Sequence, residues 1–210
     1  MELRGEDELW FEAAEWERYA ELADAHVRAG RLAHFVVVDA DDPALDRWAG
    51  LAFGRQQVFA SAPVGASAYD GPIRVRPGDL ETALALSAVM FDHLSGPPVW
   101  SFRAPRPEED VRAEWAGFLA EPETTHLVAE LDGAVIAHMA LHGSHLEVAA
   151  TLPDARGRGA MRALWAAAQE HAVGDAWETD WRSTNLEAAA CWTALGFRPT
   201  RYRLHRLVGR

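Results

Sequence analysis

The chain is poor in cysteine: Cys191 is the only one in 210 residues. A single thiol excludes an internal disulfide framework and suits a reducing compartment, so a cytoplasmic protein is expected. Long apolar runs are missing as well. No stretch approaches the ~20 residues needed to cross a bilayer, and the charged start, MELRGEDELW, lacks the basic-then-apolar order of a secretion signal. No membrane partner is therefore expected. Positive charge is in short supply, with 20 Lys plus Arg against 32 Asp plus Glu and a formal net charge of −12. That balance argues against a general nucleic-acid binder, whose phosphate contacts need a basic surface, and it suits a cationic small-molecule partner. What the chain does have is apolar material, 49% of its residues including nine Trp. This is enough for one large domain, or one and a half small ones, with a real core.

Hydrophobic periodicity divides the chain into two blocks. In the first, Leu9, Ala13, Trp16, Ala20, Ala23 and Val27 recur at steps of four and three, which predicts an amphipathic helix ending at Gly30. Leu32 to Val38 reads as a buried strand. Asp42-Pro43 opens a short helix to Leu51 with Pro at its first position, and Val58 to Ala60 is a further short strand. A stretch rich in Ala, Ser, Gly and Pro follows, and the expected division is 1–62, a linker 63–72, and a main domain 73–210.

The main domain opens with a strand from Ile73, capped at Asp79 before a helix Leu80 to Leu94. A Pro-rich loop, Gly96 to Pro107, precedes a second helix, Glu108 to Ala120. Turns at Asp132-Gly133 and Gly143-Ser144 join His126–Leu131, Ala134–His142 and His145–Thr151 as antiparallel hairpins. A helix Ala160 to Ala172 and a strand Ala176 to Trp181 then complete a right-handed crossover, which lays the new strand parallel to the last. The expected fold class is mixed α/β: antiparallel hairpins, then a parallel β-α-β crossover, with helices on both faces.

The junction Leu146 to Met161, LEVAATLPDARGRGAM, is the most specific segment. A strand breaks at Pro153, Gly157 and Gly159 allow close backbone approach, and the next helix offers unpaired N–H groups and its positive dipole end to an anion. It is neither Gly-x-Gly-x-x-Gly, which would need Gly at Arg162, nor a P-loop, which would need Gly-Lys-Ser/Thr. Downstream stands Asn185-Leu-Glu-Ala-Ala-Ala-Cys-Trp192-Thr-Ala-Leu195-Gly196-Phe197, a helix with Asn185 suited to cap it and Gly196 to end it. Together these segments resemble the GNAT superfamily of acyl-CoA-dependent N-acetyltransferases over about Ile73 to Val208. The resemblance implies acetyl-CoA as co-substrate. Its pyrophosphate would lie on Arg156, Gly157, Arg158, Gly159, Ala160, Met161 and Arg162, its pantetheine arm along the backbone of Thr151 and Leu152, with Asn185 nearby. Two departures stand out: Met161 replaces a Gly or Ala, and Trp192 replaces a Tyr whose hydroxyl can protonate the departing thiolate. An indole N–H is no useful acid near neutral pH.

The hairpin around Gly143-Ser144 gives the chemistry a place. With a two-residue turn and strict alternation, His138, His142, His145 and Glu147 share one face, while Ala137, Met139, Leu141, Leu146, Val148 and Ala150 face the core. An amine must lose its proton before attacking a thioester, and His or Glu can take it. In the resembling family a Glu on this strand often does so. Glu147 is the nearest candidate, while His145 lies closer to the usual position. A solvated outer sheet face is the competing reading of the same four residues. No metal is expected, since ligand spacing and cysteine partners are lacking.

Other features point to structure. Cys191 has no basic neighbour in sequence and reads as an inert thiol. Arg198, Arg201, Arg203, Arg206 and Arg210 alternate like the exposed face of a terminal edge strand, with a contact to the CoA 3′-phosphate as the other reading. Trp165, Trp177 and Trp181 suit the core. An offset of 144 superposes Gly30 on Gly174, Trp48 on Trp192, Leu51 on Leu195 and Phe53 on Phe197, so the first block is either a degenerate half-repeat or a chance match. Three functions stay open: an N-acetyltransferase acting on a small amine, a CoA-binding regulatory domain without turnover, and a protein N-acetyltransferase. The oligomeric state is not readable from the sequence, with a homodimer as the candidate assembly.

Overall fold

The computed structural model describes residues 8–101 and 106–209. Arg210 and part of the Pro-rich loop expected at Gly96 to Pro107 lie outside them. The chain forms two compact units. One comprises the chain up to Ala60, Trp181–Ser183 and the segment from Arg198 on; the other comprises Ser61–Asp180 and Thr184–Phe197. These units interleave along the sequence, whereas the expected division at 62 and 73 is sequential. Among the described residues no helix is long and apolar enough to cross a membrane.

In the first unit, β1 (Glu8–Phe11) pairs parallel with β2 (Ala33–Asp39), and β2 pairs antiparallel with β9 (Arg198–Leu207), which lies beside β3 (Gly54–Pro63). The helix expected from Leu9 is therefore a strand first, then a 3-10 turn Ala13–Arg18, and becomes α1 only at Tyr19–Arg28. Leu9 and Phe11 point into the core by strand alternation, a spacing that joins seamlessly onto a helical period, which is why periodicity alone ran them together. α2 (Ala44–Gly50) follows, with Pro43 at its N-cap rather than its first turn. The core of this unit is Phe11, Tyr19, Ala23, Val36, Val38, Ala44, Trp48, Phe53 and Leu204.

The arginines of β9 are not an edge device. The strand sits between β2 and β3, and Arg203 is buried, with its guanidinium on the Gln57 side-chain oxygen. The sequence pattern shows a half-polar strand but not where it is inserted.

The second unit carries β4 (Arg74–Pro77), α3 (Leu80–Ser95), α4 (Glu108–Ala120), β5 (Thr124–Leu131), β6 (Ala134–His142), β7 (His145–Thr151), α5 (Ala160–Ala168), β8 (Ala176–Arg182) and α6 (Leu186–Ala194). Its strands are ordered β8-β7-β6-β5-β4, parallel only between β7 and β8. This is the expected mixed sheet with its hairpins and crossover. Asp79 caps α3, accepting the Thr82 N–H at 2.8 Å while Thr82 Oγ1 accepts the Asp79 N–H at 3.0 Å. α3 and α4 pack Ala83 and Trp115 onto Ala140 of β6, with Val148 of β7 against the same cluster.

The offset of 144 relates local geometry as well as letters. It carries β3 onto β9 residue for residue and α2 onto the end of α6. Trp48 meets Phe53 edge-on at 4.8 Å, and Trp192 meets Phe197 edge-on at 5.7 Å. Ala52 and Gly196 both take positive φ, +63° and +100°.

Candidate active site

β7 holds the site because of what it pairs with on each side. Against β6 its register shifts by one residue: Leu141 pairs with Leu146 and Ala140 with Val148, which leaves Glu147 as the extra residue of a β-bulge. Against β8 the pairing comprises His145 with Glu178 and Leu146 with Thr179, and Thr179 Oγ1 donates to the Leu146 carbonyl at 3.2 Å. Beyond that point β7 continues along β6 to Thr151 without a ladder partner on β8. The two parallel strands thus part at the bulge, and backbone polar groups on that side of β7 are left for something else to satisfy.

The bulge also changes which residues share each face of β7. Direct partners in an antiparallel ladder share a face, so His142, Ala140 and His138 lie with His145, Val148 and Ala150. Val148 and Ala150, expected with Leu146, are on the opposite side from it, and Glu147 does not stand opposite Ala140. His138 is fully buried; its Nδ1 lies 3.1 Å from His126 Nε2 and its ring 6.0 Å from that of Trp115. Burial pushes its pKa down to about 3, so it is a neutral core group.

His145 and Glu147 are brought together. His145 Nδ1 lies 3.1 Å from Glu147 Oε1, with both side chains partly exposed. The contact with Glu147 raises the His145 pKa against the lowering effect of burial, and Glu178 and Asp180 add to the rise. The same contact lowers Glu147. His142, the ladder partner of His145, has its Nδ1 3.3 Å from Glu121 Oε2.

The glycine junction lies at the other end of β7. Pro153–Ala155 form a 3-10 turn, Gly157 and Gly159 adopt φ of +75° and +90°, and Gly159 is the N-cap of α5. Only glycine takes these angles without strain. The first helical bond runs from Ala163 N–H to Gly159 C=O at 3.0 Å, so Ala160, Met161 and Arg162 have no carbonyl earlier in the helix to bond. Arg158 and Arg162 are exposed, while Arg156 reaches Glu187 of α6 at 2.6 Å. Leu152 spends its N–H on Ile136 C=O and accepts from Ala155 N–H, both at 2.9 Å, so it shapes the turn. With a rise of roughly 3.3 Å per residue, Glu147 lies about 16 Å along the strand from Leu152.

Asn185 is buried and caps α6, its Oδ1 accepting from Ala188 N–H at 3.1 Å and lying 3.2 Å from His93 Nε2 of α3. Trp192 is buried in a run of rings with Phe197, Trp165 and Trp177. Cys191 is free, and burial pushes its thiol up to about 11. Sequence reasoning missed His93 and Tyr69, both distant in the chain from the residues they approach. A cavity of about 480 Å³ lined by Arg76, Gly78, Thr125, His126, Glu170 and His171 lies at the far end of the sheet. Thr124 pairs with His142 there, while the glycine junction follows Thr151. No group of three or more His, Cys, Asp or Glu residues suited to a metal ion is found among the described residues.

The acetyltransferase (GNAT) family model matches residues 89–197. The chain belongs to this family. No curated protein matches it by sequence. Among solved structures, a GCN5-related N-acetyltransferase from Sphaerobacter thermophilus is similar over 90% of this chain and 69% of its own, with 14% identity and a TM-score of 0.58. A GCN5-related N-acetyltransferase from Kribbella flavida is similar over 96% and 79%, with 17% identity and a TM-score of 0.55. A tandem GNAT protein from the clavulanic acid biosynthesis pathway is similar over 91% and 69%, with 15% identity and a TM-score of 0.51. At these identities the likeness is one of fold. Within the GNAT domain, β7, the glycine junction and α5 all fall inside the matched residues.

Proposed function

We propose that this GNAT protein transfers an acetyl group from acetyl-CoA to the neutral form of a small cationic amine. The observation that carries the reading is the parting of β7 from β8 at the bulged Glu147, with the Gly157/Gly159 junction ending the same strand. The unbonded N–H groups of Ala160, Met161 and Arg162 take the pyrophosphate, helped by the helix dipole and by Arg158. The pantetheine arm lies in the opening along β7, its amides bonding backbone up to Thr151. The thioester then reaches Glu147 and His145, at the apex. One of that pair takes a proton from the amine, whose lone pair attacks the carbonyl carbon; the C–S bond breaks and CoA thiolate leaves. Trp192 supplies no acid, so the thiolate takes its proton from solvent. The acidic neighbours of His145, Glu178 and Asp180, favour a cationic acceptor.

A second reading, CoA binding without turnover, is favoured by the enclosure of Trp192 among aromatic rings where the family places an acid. One experiment separates them. Calorimetry should show acetyl-CoA binding that Gly159→Glu abolishes, because the new carboxylate blocks and repels in the cradle. An amine panel with thiol-release detection should then give turnover. Unchanged affinity in Gly159→Glu refutes the donor site, and binding without release across the panel selects the second reading.

We also read residues 1–62 as a degenerate half-repeat of the GNAT fold. The matched elements, the paired Trp–Phe contacts and the paired positive-φ turns support this.

A further inference from the structure

The segment between β3 and β4 reads in sequence as a linker, yet it places one aromatic ring on the glycine junction. Within the second unit the segment is held at its start, where Val64 N–H donates to Asp175 C=O at 2.9 Å and Gly65 N–H donates to Gln169 Oε1 at 3.2 Å. Tyr69 is half-buried. A Cβ built on Gly159 would lie 3.5 Å from Tyr69 Cε2 and 3.7 Å from its hydroxyl oxygen, so the ring is in contact range of the N-cap of α5. The other side of the ring is set by Gly71, where any Cβ would overlap the tyrosine hydroxyl. Gly71 thus makes room for this side chain, while Gly159, in ordinary contact range of the ring, supplies the positive φ that starts the helix. The tyrosine hydroxyl bonds to no described residue, so its donor capacity is unspent at the mouth of the cradle.

We propose that Tyr69 belongs to the donor site and that its hydroxyl donates a hydrogen bond to a pyrophosphate oxygen of acyl-CoA. The proposal rests on the donor-site reading above. It adds a donor from outside the loop and helix: a phenol hydroxyl bonds an anionic oxygen without bringing a second charge, in a cradle where Arg156 is already paired with Glu187. It also gives the segment 64–72 a function, that of holding this ring across the helix start.

The test measures the affinity of CoA and of 3′-dephospho-CoA by calorimetry. Both carry the pyrophosphate and only one the 3′-phosphate. Tyr69→Phe should weaken both ligands equally, by roughly tenfold, the usual scale for losing a hydrogen bond to a charged group. It should leave the melting temperature of the ligand-free protein unchanged, which a merely structural tyrosine would not. Gly71→Ala should displace the intact tyrosine and reproduce the loss, and the double variant should lose no more than either single one. Unchanged CoA affinity in Tyr69→Phe overturns the proposal. Tighter binding does too, since the ring would then be an obstruction, and so does a loss confined to CoA, which would put the hydroxyl at the 3′-phosphate. If wild type fails to bind CoA, the donor-site reading itself fails and the proposal falls with it. If wild type binds, Gly159→Glu abolishes binding and Tyr69→Phe changes nothing, only the role of Tyr69 is refuted.

Discussion

His145 and Glu147 set each other's protonation, and that fixes what each can do. The histidine is raised chiefly by its contact with Glu147, and the glutamate is lowered chiefly by the histidine. The sign follows from linkage. Stability from the raised His145 is fully present below its unfolded value and is lost as pH rises through the raised one. Stability from the lowered Glu147 is present above its unfolded value and is lost as pH falls through the lowered one. Both side chains are partly exposed, so the pair matters more for proton transfer than for stability. If neutral His145 is the base, kcat/KM should rise with pH along a limb centred above the ordinary histidine value. Glu147→Gln should then move this limb to lower pH by removing the raising contact, and His145→Ala should erase it. A limb that stays in place in Glu147→Gln would show that the pair does not govern amine deprotonation. The candidates themselves were legible, because a His and a Glu two apart on a strand after a tight turn are visible as letters. The bulge at Glu147, which turns Val148 and Ala150 to the other side from Leu146, was not, since alternation assumes one residue per rung.

Elements with a local cause were the ones readable in advance. The Asp79 and Asn185 caps, the Asp132-Gly133 and Gly143-Ser144 turns and the Gly157/Gly159 junction depend on neighbours a few residues away, and each forms where the letters place it. β1 and β9 depend on distant partners, and their character or position was missed for that reason. The helix exits show the same logic in energetic form. After α6, Gly196 takes φ +100° at no steric cost, but after α2 the equivalent residue is Ala52 at +63°. A left-handed non-glycine residue costs about 1–2 kcal/mol, and glycine's extra freedom in the unfolded chain returns about 0.4–1 kcal/mol of that. Ala52→Gly should therefore stabilise the protein, by on the order of 0.5–1 kcal/mol, measured as a higher midpoint in urea at unchanged m-value. An equal or lower midpoint would mean that the surrounding contacts, not the backbone, set the cost of this turn.

At the scale of the molecule, the C-terminal strand belongs to the unit that the N-terminal segment builds. β9 is paired along its length with β2, from Ala33 with Leu207 to Asp39 with Arg201, and it contributes Leu204 to the first unit's core. A fragment 73–210, which by sequence is the complete acetyltransferase domain, would carry β9 without β2 or β3. It would expose unpaired ladder groups and Leu204, and leave Arg203 without its Gln57 contact. Such a strand is a template for aggregation. The fragment 73–210 should therefore be insoluble when expressed alone, and co-expression with 1–72 should return a soluble complex with the CoA affinity of the whole chain. Hydrogen exchange would show the reason: the β9 amides should be protected in the complex and in the intact protein. A fragment 73–210 that is soluble, melts cooperatively and binds CoA unaided would show that the N-terminal segment is an appendage. The half-repeat would then have no part in holding the transferase fold together.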